Sequence, residues 1–113
     1  MKHYEQHERL AICERAIAHY GIKHQDIKAL EESAELSAAL GDFSAVLARR
    51  INGDYRNIAE EWMLLSHLTE EAADVQIMLW QLIAAHNLDI DTMIDKKLAR
   101  LERNMDNDRT EEV

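Results

Sequence analysis

Glu70-Glu71-Ala72-Ala73-Asp74-Val75-Gln76-Ile77-Met78-Leu79-Trp80-Gln81-Leu82-Ile83-Ala84-Ala85-His86 is the stretch that decides how this chain folds. It lacks proline and glycine, and it is rich in residues that enter a helix at little cost. Thr69 just ahead of it suits an N-cap, and Glu70 and Glu71 suit the positive end of a helix dipole. Val75, Met78 and Leu82 recur at helical spacing. Ile77, Leu79 and Trp80 make the remaining faces apolar too, which predicts a helix over 69–86 buried on more than one side.

Working outward, residues 5–20 carry Leu10, Cys13 and Ile17 at helical spacing, with Gly21 where a helix would stop. A further helix is expected over 25–40, ending at Gly41. Residues 42–67 read as less regular, with a short helix over 44–51, a break at Asn52-Gly53 and another helical piece from Asp54. The last helix is expected from Asp89 or Asp91 to Asn104, followed by a charged, frayed tail over 106–113. The chain has 113 residues, no proline and three glycines. With no Gly/Ser-rich linker, this predicts one all-α, four-helix-bundle-like domain over 1–105.

The formal charge of −9 opposes non-specific nucleic-acid binding, which needs clustered cations. It leaves room for a nucleotide held through metal, because divalent ions reverse the sign of an acidic site. Cys13 is the single cysteine. No apolar signal core opens the sequence, and no run approaches a membrane span, so a cytoplasmic protein without membrane contact is expected.

Two hexads carry the chemistry. Glu31-Glu32-Ser33-Ala34-Glu35-Leu36 matches Glu70-Glu71-Ala72-Ala73-Asp74-Val75 in its acidic, small and aliphatic positions. Residues three apart on a helix are neighbours, so Glu32 with Glu35, and Glu71 with Asp74, can each reach one point. At 100° per residue, Glu71 and Asp74 fall within the arc of Val75, Met78 and Leu82. Glu31, Glu32 and Glu35 fall in or beside the arc of Ile27, Ala34 and Ala38. Acids on an apolar face must take up protons or find cations. Either hexad alone would read as a solvated helix face, whereas two of them facing inward suggest a shared metal. Four hard oxygen donors suit Mg²⁺, with Mn²⁺ as a substitute. A di-iron bundle would need glutamate three positions before a histidine, and none of the six histidines has one.

With these motifs in view, the chain resembles the MazG-like family of all-alpha nucleoside triphosphate pyrophosphatases, and in particular its small single-domain, phage-type members. The likeness extends from about Gly21 to Asn104. It implies an all-alpha NTP pyrophosphatase architecture and Mg²⁺-dependent cleavage of a (d)NTP to (d)NMP and pyrophosphate. It implies metal ligation by Glu32, Glu35, Glu71 and Asp74, with Glu31 as the neighbouring catalytic acid. Lys97, Arg100 and Asn104 stand where the family places phosphate contacts, and Gln25 near its nucleoside. The interval between Glu35 and Glu71 exceeds the family's spacing, and the excess is read as an insertion or loop within 42–67.

The last helix offers its own pattern: Lys97, Arg100 and Asn104 share an arc beside Met93, Ile94 and Leu101. They could hold the β and γ phosphates, or simply favour the negative end of their helix. Trp62, Trp80 and Tyr55 invite base stacking, but Trp80 lies opposite the acids, where packing or a subunit contact is expected. A homodimer or homotetramer follows from the apolar third helix. The histidines are expected in surface or packing roles. Two alternatives stay open: a non-catalytic helical interaction module, whose inward acids pair with cations, and a nucleotide-binding regulator without turnover.

Overall fold

The computed structural model describes residues 1–54 and 58–111. It is all-α, with α1 (Gln6–Tyr20), α2 (Ile22–Ile51), α3 (Ile58–His86) and α4 (Ile90–Glu111) in a bundle-like arrangement and no strand among the described residues. Tyr55 and the last two residues of the expected tail lie outside the described residues.

The centre of the fold is the antiparallel α2/α3 hairpin, with α1 packed mainly on α3. Gln25 of α2 meets Gln81 of α3 through an amide hydrogen bond of 2.7 Å. Seven residues along each helix, the same register sets Glu32 beside Asp74. Side-chain contacts close both ends of the hairpin: a hydrogen bond between His86 and Asp26 at 2.8 Å at one, and ion pairs of Arg49 with Glu60 and Arg50 with Glu61 at the other.

Local chemistry explains the joints. Glu5 N–H donates to Glu8 Oε1 at the start of α1, a reciprocal use of the N3 acid. Gly21 is the single residue between α1 and α2, and its φ of +93° is one that side-chain-bearing residues rarely adopt. At the end of α2, Gly53 stands at +89° while Asp54 N–H returns to Arg49 O. Asn87, at +54°, does the same for α3, with Leu88 N–H bonded to Ile83 O. Both are Schellman closures. Asp89 Oδ1 then accepts from Thr92 N–H to open α4.

Several expected boundaries are corrected. Gly41 does not end α2, which continues to Ile51. The apolar seam of Leu36, Ala39, Phe43 and Val46 runs straight past it against α3. One glycine costs only about 1 kcal/mol in a helix interior, less than continued burial returns. Thr69 is no N-cap: it lies inside α3, and its Oγ1 donates back to Leu65 O at 2.9 Å. Residues 42–67 are therefore mostly additional turns on α2 and α3. Residues 106–111 continue α4 where fraying was expected. The buried face of α2 is centred on Gln25, Glu32, Ala39 and Val46, whereas Ala34 and Ala38 are exposed and Ile27 half-exposed.

The core is thin. Among the described residues, the buried apolar ones are Cys13, Ala39, Val46 and Met78. Every described side chain of α4 is exposed, and that helix makes no extensive contact with the other three.

Candidate functional site

Glu32 comes from the middle of the buried face of α2, and Glu71 and Asp74 from α3. One carboxylate oxygen of each lies within 4.8 Å of the others. Glu32 is only 8% exposed, and the Glu71 side chain only 12%, whereas Asp74 stands at the exposed rim. Glu35, expected on the buried face, is exposed on α2 one turn beyond Glu32 and stands beside the group. The Glu35 carboxyl accordingly sits above its ordinary range, raised first by the charge of Glu32 and then by that of Glu71.

Each deep acid has a basic side chain four residues before it. Lys28 Nζ lies 3.2 Å from Glu32 Oε1, and His67 Nε2 lies 3.8 Å from Glu71 Oε1. The Lys28 ammonium is held above its usual value by its hydrogen bond and attraction to Glu32. Those contacts use one oxygen per glutamate. The other oxygens, Glu32 Oε2 and Glu71 Oε2, are shut off from water and have no hydrogen-bond partner. Leaving a carboxylate oxygen buried and unpaired is costly. Two of them in one cluster, brought from separate helices, form a pocket of negative charge shaped for a cation.

Three carboxylate oxygens this close together could hold a metal ion.

No family model, curated protein or solved structure matches this chain. The chemistry therefore rests on the site itself.

The remaining candidates are placed differently. Glu31 is exposed on α2 and acts electrostatically on Lys28. Gln25 is buried with both ends of its amide engaged: Nε2 donates to Gln81 Oε1, and Oε1 accepts from His24 Nδ1, each at 2.7 Å. Its amide is turned into the α2/α3 seam. Lys97, Arg100 and Asn104 stand on the exposed α4. Among the described residues, no hydrogen bond or ion pair joins them to the acids.

Lys28 and His67 are the site residues that the sequence reading passed over. Their signal is an extension of the hexad match: Lys28-x-x-x-Glu32-x-x-Glu35 parallels His67-x-x-x-Glu71-x-x-Asp74. Cation-to-acid spacing of four residues on a helix brings such pairs together. His67, on the surface as expected, flanks the acid cluster.

Proposed function

We propose that this chain is a magnesium-dependent nucleoside triphosphate pyrophosphohydrolase, converting a (d)NTP to the (d)NMP and pyrophosphate. The observation that carries the reading is the pair of buried, unpartnered oxygens, Glu32 Oε2 and Glu71 Oε2. Such oxygens in a four-acid cluster favour a divalent metal over a solvated helix face. The likeness of the two hexads to the MazG-like family supplies the substrate class, and a nucleotide substrate with a single cysteine fits the cytoplasm.

Glu32, Glu71 and Asp74 would hold the metal, with Glu35 at its edge. Bound divalent ions neutralise phosphate charge and make a coordinated water more acidic. The protein's own contribution is to exclude water from the inner oxygens and to handle a proton at the rim. Glu35, exposed at the edge of the acids, is placed to accept the proton of an attacking water. Lys28 steadies Glu32 and keeps a positive charge at the mouth, where the phosphates would enter.

The test is pyrophosphate release from a panel of canonical and modified triphosphates with Mg²⁺, in wild type, Glu35→Gln and Asp74→Asn. Each variant is expected to lose on the order of 100-fold or more in turnover. Equal turnover in all three proteins would remove the site assignment. Tight triphosphate binding with no pyrophosphate from wild type would instead establish the regulator.

A further inference from the structure

Lys28 and Glu32 form an unequal pair. Lys28 Nζ lies 3.2 Å from Glu32 Oε1, four residues apart on α2. The acid's side chain is 10% exposed, whereas the lysine's is 48% exposed. The carboxylate is therefore fixed in the α2/α3 seam, while the ammonium stands half in water on a flexible four-carbon stem. Turning that stem outward replaces one screened contact with hydration, which costs little.

The pair is poorly placed to serve its helix. Pairs at this spacing stabilise a helix better with the acid ahead of the base, and here the base comes first. Lys28 also lies near the N-terminal end of α2, where a cation gains nothing from the helix dipole. Nor does it neutralise the site. Glu31 and Glu35 attract it as well, yet Glu32 Oε2 and Glu71 Oε2 keep no partner. Its counterpart on α3, His67 beside Glu71, is charged only when protonated. Lys28 brings a permanent charge to the acids.

We infer that Lys28 is an exchangeable counter-ion, resting on Glu32 while the acids lack metal and moving to a substrate phosphate once a divalent ion takes that carboxylate. Glu32 gives up a singly charged, half-solvated partner for a divalent one. The freed ammonium becomes a point charge for phosphate. Phosphate on Lys28 in turn removes a competitor for Glu32, so metal and polyphosphate strengthen each other's binding, as linkage requires. A ligand gains from both only if it brings more than one phosphate group, one for the metal and one for Lys28. The exchange thus selects di- and triphosphates and lets a monophosphate depart. Its meaning for substrate choice rests on the pyrophosphohydrolase reading.

The test compares wild type, Lys28→Met and Lys28→Arg by isothermal titration at low salt, where exposed charges are least screened. Lys28 is exposed, so both variants are expected to fold, with unchanged helical circular dichroism. Titrated with Mg²⁺ alone, Lys28→Met is expected to bind about fivefold more tightly, because no ammonium has to leave. Titrated with inorganic triphosphate in excess Mg²⁺, it is expected to bind about tenfold more weakly, the size of one charge-assisted hydrogen bond. Lys28→Arg is expected to keep both affinities near those of wild type. The two shifts have opposite signs, which a lysine serving only the helix would not produce. An Mg²⁺ affinity that Lys28→Met leaves unchanged or lowers would overturn the exchange while the metal site stands. Unchanged triphosphate affinity would overturn the transfer to phosphate. A wild type that binds no Mg²⁺ would remove the metal site and the exchange together. The opposite shifts without pyrophosphate release from any nucleotide would uphold the exchange and sink the hydrolase reading alone.

Discussion

Gln25 Nε2 donates to Gln81 Oε1 across the α2/α3 seam, and the same antiparallel register places Glu32 beside Asp74 seven residues away on each helix. Both amides are buried, Gln25 at 7% and Gln81 at 5% exposed, so sliding the helices by one residue would strand both. The pair acts as a register pin for the acid cluster. Gln25→Leu alone leaves Gln81 unsatisfied and is expected to cost about 1–3 kcal/mol. Gln25→Leu with Gln81→Leu removes both polar groups and should cost clearly less than the sum of the singles. Urea unfolding of the four proteins measures the coupling, and strictly additive costs would dismiss the pin.

Metal should reverse the sign of a mutation. Without divalent ions, Glu71→Gln removes one of four mutually repelling carboxylates, so its melting temperature is expected to equal or exceed that of wild type. With Mg²⁺ at 100 times its Kd, linkage stabilises wild type by about 2.7 kcal/mol, a rise on the order of 10 °C for a domain of this size. Glu71→Gln should lose most of that rise. A module whose acids only pair with cations behaves oppositely: no gain with Mg²⁺, and a loss of stability on mutation.

Acid should stabilise the metal-free protein through Glu35. Its carboxyl is raised from the ordinary value of 4.5, chiefly by Glu32 and then Glu71, so the folded state binds that proton more tightly than the unfolded chain does. Stability from this group is complete below 4.5 and is lost as pH rises through the raised folded value. In EDTA, the urea midpoint of wild type relative to Glu35→Gln is expected to climb as pH falls from neutral toward that window. Parallel midpoint curves would show that Glu35 carries no such shift.

The inward place of Glu71 was legible because helical phase depends only on spacing, which sets it in the arc of Val75 and Met78 wherever the helix begins; Asp74, expected in the same arc, stands exposed at the rim. The ends were not legible. Gly41 and Thr69 have the local chemistry of a stop and a start, but packing between α2 and α3 outweighs both. The bundle-like all-α class could be read from composition and periodicity. The position of α4 could not, because an apolar stripe calls for a partner without saying which surface, or which copy, supplies it. Lys28 and His67 were readable in principle from their four-residue lead over Glu32 and Glu71. Attention to acid-to-acid spacing alone passed them by.

Gly41 offers the cleanest test of the continuous α2. A methyl group built there meets nothing within 4 Å, and its φ lies outside the left-handed region. Gly41→Ala therefore adds no clash while it restricts the unfolded chain and raises helix propensity. It should stabilise the protein by about 0.5–1 kcal/mol, seen as a higher urea midpoint with an unchanged m-value. Had α2 ended at Gly41 in a left-handed cap, the same alanine would be strained and destabilising. A lower midpoint would therefore restore the break, and with it a loop between Glu35 and Glu71 in place of the long hairpin.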